Sequence, residues 1–270
     1  MIQVSDLSLT YPSGVKALAP TSLAFRAGEF TVLLGPSGAG KSSLLRCLNL
    51  LNAPSSGRVR VDSLGELKTT QLVRRHRLGT GMIFQQHQLI GRYSALDNVL
   101  AGRIGYHGMI RTLFPLPWCD KILALACLDQ VGLADKALQR VDRLSGGEQQ
   151  RVGIARALAQ QPKLILADEP VASLDPTTAA YVLGLLHNIC KEKQLTAIVS
   201  LHQVNFAKRF ADRIIGLAAG RVTFDGTSAE LTADILDRIY AHPARDNQPE
   251  PAVDVNALGT ATALLAPLHQ

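Results

Sequence analysis

A glycine-rich stretch between an apolar run and an amphipathic one constrains this sequence more than any other feature. The stretch reads Gly35-Pro36-Ser37-Gly38-Ala39-Gly40-Lys41-Ser42 and follows the apolar residues Phe30–Leu34. It matches the pattern G-x-x-x-x-G-K-[ST], whose backbone N–H groups surround a chain of phosphates. Leucines at helical spacing then predict a helix over residues 41–51. A strand, a glycine-rich turn and a helix in this order predict half of a βα unit with an anion site at the turn.

The residue types in this loop suit the phosphate chain of a nucleotide. Glycines let the backbone approach an anion closely. Lys41 is expected to pair with the β- and γ-phosphates, and the Ser42 hydroxyl to reach Mg²⁺. The predicted phosphate-loop residues are Gly35, Pro36, Ser37, Gly38, Ala39, Gly40, Lys41, Ser42 and Ser43.

Apolar runs elsewhere alternate with helical segments, which is typical of an α/β fold with a mainly parallel sheet. The runs predicted to be strands are residues 4–11, 23–25, 82–84, 164–167, 196–200 and a hairpin over 214–224 that turns at Ala219-Gly220. Between about residues 89 and 160 the strand pattern is absent, and residues 121–131 and 147–160 are predicted helices. We therefore expect a helical insert within an α/β core.

Composition sets the outer limits of the interpretation. Hydrophobic residues make up 47% and charged residues 19% of the 270 residues, so the chain can bury a substantial core. The sequence has no run of 18 apolar residues and no secretory signal, and we expect a cytoplasmic protein that does not span a membrane alone. The net charge of +6 is compatible with nucleic acid, phosphate-bearing ligands or an anionic membrane surface.

Three smaller features concern the cysteines, the C-terminal segment and a basic cluster. The scattered Cys47, Cys119, Cys127 and Cys190 are expected to be buried free thiols. Residues 243–270 shift to proline, alanine and asparagine, so we expect a domain over residues 1–242 followed by a loosely ordered tail. The basic cluster at residues 74–77 is interpreted as a solvated face rather than a nucleic-acid site, because it is short and lacks interleaved aromatic residues.

Two adjacent acids follow the apolar run at residues 164–167. Asp168 suits coordination of Mg²⁺ through water, and Glu169 suits the general base that polarises an attacking water. Two acids at a strand end are, by themselves, more often an ordinary solvated turn. Together with the phosphate loop, they favour a site for phosphoryl transfer to water.

A second glycine-containing stretch, Leu144-Ser145-Gly146-Gly147-Glu148-Gln149-Gln150-Arg151, opens the predicted helix that begins at residue 147. A helix N-terminus attracts anions, so this stretch predicts a second anion site distant from the first. Ser145 and Glu148 also have the spacing of a capping box. Both interpretations hold together, because a cap orients the same N–H groups.

With these motifs, residues 2–240 resemble the ATP-binding subunits of ABC transporters. The resemblance implies a P-loop ATPase core with an N-terminal antiparallel β subdomain and an inserted α-helical subdomain of about residues 89–160. It also implies a homodimer that sandwiches ATP. In such a dimer Ser145, Gly146 and Gly147 contact the γ-phosphate held by Lys41 of the other copy.

The resemblance assigns further residues one at a time. Gln85 is expected to touch Mg²⁺ and water and to relay movement to a membrane subunit, beside Ser42 and Asp168 as metal-site residues. His202 is expected to contact the γ-phosphate and hold Glu169, so Glu169, His202 and Gln85 form the predicted catalytic group. Tyr11 is expected against adenine. Asp175, in Ser173-Leu174-Asp175, is expected at the dimer interface.

Among such proteins, an importer ATPase is favoured over an exporter domain or a soluble ATPase acting on nucleic acid. Residues 81–86, 98–103, 167–176 and 200–204 closely resemble the phosphonate-importer ATPases, with import of amino acids or phosphate as the alternative. The resemblance implies integral membrane permease subunits and, indirectly, a periplasmic solute-binding protein. It places the chain at the cytoplasmic face of the inner membrane. Residues 102–118, with Arg103, Tyr106, Phe114 and Trp118, are the candidate groove for a permease helix.

Overall fold

The structure is a computed structural model that describes residues 1–86, 88–108 and 115–240. Its strands are β1 (Ile2–Thr10), β2 (Lys16–Phe25), β3 (Phe30–Leu34), β4 (Ser56–Val61), β5 (Gly65–Glu66), β6 (Thr80–Ile83), β7 (Leu164–Asp168), β8 (Thr196–Leu201), β9 (Arg213–Ala218) and β10 (Arg221–Gly226). Its helices are α1 (Lys41–Leu48), α2 (Thr70–Leu78), α3 (Ala95–Leu100), α4 (Trp118–Gln130), α5 (Gly146–Ala159), α6 (Pro176–Glu192), α7 (Val204–Phe210) and α8 (Ala233–Tyr240). Short 3₁₀ turns cover Ala101–Tyr106, Ala134–Lys136 and Val141–Arg143.

The strands form two sheets. A four-stranded antiparallel sheet has the order β2-β1-β4-β5, and a six-stranded sheet has the order β10-β9-β3-β8-β7-β6. Within the larger sheet the pairs from β9 to β6 are parallel, and β10 is antiparallel to β9. The predicted α/β fold class and the hairpin at Ala219-Gly220 are confirmed. Both turn residues have positive φ, 46° and 73°, as a tight hairpin turn requires.

The central strands are mostly apolar because both faces of the larger sheet are covered. Successive β3 residues belong to different hydrophobic clusters: Val32 and Leu34 pack with α5, α6 and α7, whereas Leu33 packs with α1 and the antiparallel sheet. Helices α3, α4 and α5 pack on one another in the part of the chain between β6 and β7. The larger sheet therefore lies between a helical layer and a layer made of α1 and the antiparallel sheet.

Several elements differ from the sequence-based expectations. Helix α1 ends at Leu48 rather than at residue 51, because Leu50 has a left-handed backbone with φ of 51°. Strands β4 and β5 and helices α2, α3, α6, α7 and α8 were not predicted, and β2 is longer than residues 23–25. Cys119 is exposed, which makes the expectation of a buried thiol wrong at that position.

The basic cluster at residues 74–77 is also only partly a solvated face. It lies within α2, where His76 is buried and its Nε2 is 3.0 Å from the carbonyl oxygen of Leu48. Arg77 Nε donates to the carbonyl oxygen of Asn49 at 3.1 Å. These side chains satisfy carbonyl groups at the end of α1 that a helix leaves unpaired.

The predicted tail of residues 243–270, like Phe114, lies outside the described residues. In the part of the chain that the structure describes, no helix combines the length and the apolar character needed to cross a lipid bilayer.

Candidate active site

Three neighbouring parallel strands end at the same edge of the larger sheet and bring the predicted chemistry together. Leu34 of β3 pairs with Leu201 of β8, and Asp168 of β7 pairs with Ser200 of β8. The phosphate loop, Glu169 and His202 follow directly after these strand ends. The carboxyl edge of a parallel sheet is where α/β proteins bind ligands.

At two positions of the phosphate loop, neighbouring backbone atoms leave no room for any residue larger than glycine. A Cβ atom on Gly35 would lie 2.2 Å from the carbonyl oxygen of Leu217, which belongs to β9. Gly40 has φ of 100°, and a Cβ there would lie 2.6 Å from the carbonyl oxygen of Ala17. The loop therefore packs tightly against β9 of the larger sheet and β2 of the antiparallel sheet, and it continues directly into α1.

Lys41, at the start of α1, is almost completely buried with 3% exposure. Its Nζ donates to the carbonyl oxygens of Gly35 at 2.7 Å and Pro36 at 2.9 Å. Burial lowers the pKa of Lys41, while the charges of Glu169 and Asp168 act in the opposite direction. The ammonium group is thus held inside its own loop, at the place where a phosphate chain would meet it.

Asp168 is the centre of a hydrogen-bonded chain across three elements. Its Oδ1 accepts from Ser42 Oγ at 2.7 Å and from Ser200 Oγ at 3.0 Å. Ser200 Oγ in turn accepts from the backbone N–H of Glu169 at 2.8 Å. The serine at the end of β8 therefore fixes both acidic residues, the carboxylate of one and the backbone of the other.

Glu169 and His202 form a direct pair beside Lys41. His202 Nε2 lies 2.5 Å from Glu169 Oε1, and its Nδ1 lies 3.4 Å from Lys41 Nζ. Because an ammonium group only donates, Nδ1 accepts and the Nε2–H donates to the carboxylate. Lys41 Nζ is 3.9 Å from the same Glu169 oxygen. Glu169 has a positive φ of 47°, an uncommon conformation that turns the chain out of the sheet at this position.

The phosphate loop and Glu169 line a cleft of about 370 Å³, and Asp168 and His202 lie directly behind Ser42 and Glu169 through the contacts given above. The cleft is bordered by Tyr11, Val15, Lys16, Ala17, Ser37, Gly38, Ala39, Gly40, Lys41, Ser42, Ser43, Gln85 and Glu169. The Tyr11 hydroxyl is 3.0 Å from Ser43 Oγ and accepts from Asn52 Nδ2 at 3.1 Å. Its ring is thereby fixed at the rim. Gln85 is exposed in the turn after β6.

The other predicted residues form a second cluster that does not border this cleft. Ser145 caps α5, and Glu148 closes the capping box by accepting from the Ser145 N–H at 2.8 Å. A Cβ on Gly147 would lie 2.5 Å from Thr178 Cγ2, in the first turn of α6. Asp175 caps α6 and accepts from the Thr178 N–H at 3.0 Å. The starts of α5 and α6, and with them Ser145, Gly146, Gly147 and Asp175, are therefore neighbours.

Sequence reasoning missed two residues that hold the site. Ser200 is fully buried between the acids, and Tyr240 of α8 donates from its hydroxyl to the His202 carbonyl oxygen at 2.9 Å. Ser200 lies only two residues before His202 at a predicted strand end, which is the one local signal for it. Tyr240 lies 38 residues away in sequence and has no local signal.

Comparison with known proteins agrees with this geometry. A family model described as "ABC transporter" matches residues 18–172. The chain is 63% identical over 241 residues to the phosphite import ATP-binding protein PxtA of Stutzerimonas stutzeri, covering 89% of this chain and 87% of that protein. It is 57% identical over 242 residues to the phosphonates import ATP-binding protein PhnC 3 of Nostoc sp., covering 90% and 92%.

A solved structure is similar as well. It is the dimeric post-hydrolysis state of an ATP-binding cassette bound to ADP and Pi, with a TM-score of 0.74 and 34% identity, covering 84% of this chain and 99% of that one. The predicted P-loop ABC ATPase fold is confirmed by this likeness. Because the family model spans more than half of the chain and close relatives span nearly all of its described part, the chain belongs to the ABC transporter family, as an ATP-binding domain.

Proposed function

We propose that this chain is the ATP-hydrolysing subunit of an importer and that Glu169 is its general base. The observation that carries the proposal is the contact of one Glu169 oxygen with His202 Nε2 at 2.5 Å, beside the buried Lys41. A carboxylate held by a histidine next to a buried cation is suited to activate water at a phosphate.

In the proposed reaction each residue of the site has a separate role. Lys41 exchanges its bonds to the loop carbonyls for oxygens of the β- and γ-phosphates. Water attacks the γ-phosphorus, its proton passes to Glu169, and the bond from that phosphorus to the bridging oxygen breaks to leave ADP. His202 keeps the carboxylate aimed at the water and contacts the γ-phosphate. Tyr11, at the rim, is the proposed neighbour of the adenine.

The donor set fits Mg²⁺ as the partner of ATP. Ser42, Asp168 and Gln85 offer hydroxyl, carboxylate and amide oxygens, the ligand atoms that this hard cation prefers. Ser42 Oγ lies 2.7 Å from Asp168 Oδ1. Among the described residues there is no cluster of three or more His, Cys, Asp or Glu that could hold a metal ion by itself. Bound with ATP, Mg²⁺ would supply positive charge to the phosphate oxygens.

We further propose that two copies share two ATP molecules. Ser145, Gly146 and Gly147 do not border the cleft of their own chain, and at the start of α5 they would contact the γ-phosphate bound by the other copy. Asp175 would lie at the same interface. The likeness to a dimeric cassette bound to ADP and Pi supports this arrangement.

The proposed partner in the membrane is a permease that responds to movement of the exposed Gln85 turn. Of the residues named for its groove, Arg103 instead pairs with Asp120 at 2.8 Å, and the Tyr106 hydroxyl bonds the Leu78 carbonyl at 3.1 Å. Trp118 is 71% exposed and is the better candidate for contact. Docking of this kind would hold the chain at the cytoplasmic face of the inner membrane, with a periplasmic solute-binding protein as an indirect partner.

The proposed solutes are phosphonates or the related oxyanion phosphite. The support is the identity of 63% to a relative named for phosphite import and of 57% to one named for phosphonate import. Because the ATPase does not touch the solute, the permease and the solute-binding protein would decide between them.

The proposal is tested by uptake and hydrolysis with Glu169→Gln, which removes the base but keeps the size of the side chain. Cells that carry the chain with its cognate permease and binding protein should grow on a phosphonate or phosphite as sole phosphorus source. The variant should bind ATP normally, hydrolyse it at least about 100-fold more slowly and fail to support growth. Glu192→Gln, an exposed change at the end of α6, is the control and should match the unmodified chain.

Normal hydrolysis by Glu169→Gln would overturn the assignment of the base. ATP-dependent uptake of labelled amino acids or phosphate, but of neither phosphonate nor phosphite, would overturn the proposed solute class and leave the ATPase intact.

A further inference from the structure

Tyr240, which does not border the cleft, contacts the backbone of the predicted catalytic residue His202. The hydroxyl of Tyr240 donates to the carbonyl oxygen of His202 at 2.9 Å. The two residues belong to different elements, since Tyr240 ends α8 and His202 follows β8. The contact therefore joins the last described helix to the loop that carries the imidazole.

Helix α8 is well placed to act as a fixed support. Its Ile239 is completely buried and packs on Gly216 of β9, where a Cβ would lie 2.5 Å from Ile239 Cδ1. Thr232 begins the helix and accepts from the Leu236 N–H at 3.1 Å. Tyr240 itself is half-buried, and burial raises the pKa of its hydroxyl further above neutral pH, where a tyrosine is already a donor.

The imidazole ring of His202 makes a contact on each of its two nitrogens. One ring nitrogen lies 2.5 Å from Glu169 Oε1, and the other lies 3.4 Å from Lys41 Nζ. Its side chain is 37% exposed, so packing alone does not fix the ring. A shift of the His202 backbone would move both ring contacts together, and catalytic geometry tolerates little displacement.

We propose that Tyr240 is a positioning residue for ATP hydrolysis, whose hydroxyl holds the His202 backbone so that the imidazole stays between Lys41 and Glu169. The inference rests on the proposed ATPase function. It assigns to the C-terminal helix of the described chain a direct part in ordering the active site.

The test is Tyr240→Phe in the full chain, a change that removes only the hydroxyl. The loss of one hydrogen bond should lower kcat for ATP about three- to tenfold and leave KM within about twofold. In histidine-labelled protein, the ring resonances of His202, assigned by their loss in His202→Gln, should shift. Tyr181→Phe is the matched control, because Tyr181 is an exposed tyrosine of α6, and it should change neither readout.

Two results would overturn the role of Tyr240. One is a kcat for Tyr240→Phe within twofold of the unmodified chain. The other is a lowered kcat with unchanged His202 resonances, because the loss would then not pass through the histidine. If the unmodified chain did not hydrolyse ATP, or Glu169→Gln hydrolysed it equally well, the proposed function would fail instead, and the resonances would still report whether Tyr240 holds His202.

Discussion

Ser200 shows how much of this site depends on a residue that does not border the cleft. Its hydroxyl donates to Asp168 Oδ1 at 3.0 Å and accepts from the Glu169 N–H at 2.8 Å, and the side chain is fully buried. One hydroxyl thus contacts both of the adjacent acidic residues, the carboxylate of Asp168 and the backbone of Glu169. A buried donor that loses its partner costs free energy, so the serine also stabilises the fold.

Ser200→Ala should therefore lower both stability and activity. We expect the free energy of unfolding, measured in urea by circular dichroism, to fall by about 1–3 kcal/mol, because the Glu169 N–H is left buried without an acceptor. Turnover of ATP should fall about threefold or more as the carboxylate loses its fixed backbone. Ser63→Ala, in the exposed turn before β5, should stay within about 0.5 kcal/mol. Equal stability of the two variants would show that Ser200 does not bind both acids.

At the scale of single residues, the sequence predicted the groups with chemistry and missed those that hold them. Lys41, Asp168 and Glu169 could be identified because their types follow apolar strands in a recognisable order. Ser200 and Tyr240 could not, because serine and tyrosine are common residues and their contacts join chain segments 31 to 38 residues apart. Only the folded arrangement of the strands brings them to the site.

At the scale of elements, the start of α5 combines a cap with the second predicted phosphate contact. Glu148 accepts a hydrogen bond from Lys136 and another from the Ser145 N–H, and together they lower its pKa to about 2. The ordinary pKa of the group is 4.5. A carboxylate whose pKa is lowered in the folded state stabilises the fold above the ordinary value, and this stabilisation is lost as the pH falls through the lowered one.

Glu148→Gln should therefore cost stability in a pH-dependent way. We expect its free energy of unfolding to lie about 1–2 kcal/mol below that of the unmodified chain near pH 7, the cost of a charged cap. The difference should shrink as the pH falls from about 4.5 towards 2, where the unmodified glutamate also becomes neutral. Glu192→Gln should show no such convergence. A difference that stays constant with pH would contradict the role of the charge.

The same scale explains which elements could be predicted. Strands β3, β7 and β8 are entirely buried, so they appear in the sequence as mostly apolar runs, in which polar residues are few. Helix α2 was missed because its buried residue is His76, so the helix lacks the periodic pattern of buried apolar residues that predicts a helix. His76 and Arg77 bond carbonyls at the end of α1, 28 residues away, and local periodicity carries no record of such contacts.

At the scale of the whole molecule, the two predicted phosphate-binding groups are on separate surfaces. The cleft contains the phosphate loop and Glu169, whereas Ser145, Gly146 and Gly147 lie beside the start of α6. We propose that these two groups are half-sites and that a second copy of the chain completes each of them.

The mass of Glu169→Gln in solution with MgATP is the sharpest test of these shared sites, because the variant binds ATP but should not hydrolyse it. By sedimentation we predict a species of about twice the 29.0 kDa of the chain with ATP. In the absence of nucleotide the mass should be 29.0 kDa. The double variant Glu169→Gln with Ser145→Arg should have the same mass even with MgATP present. A variant that binds ATP and stays at 29.0 kDa would contradict the proposal that two copies share the nucleotides.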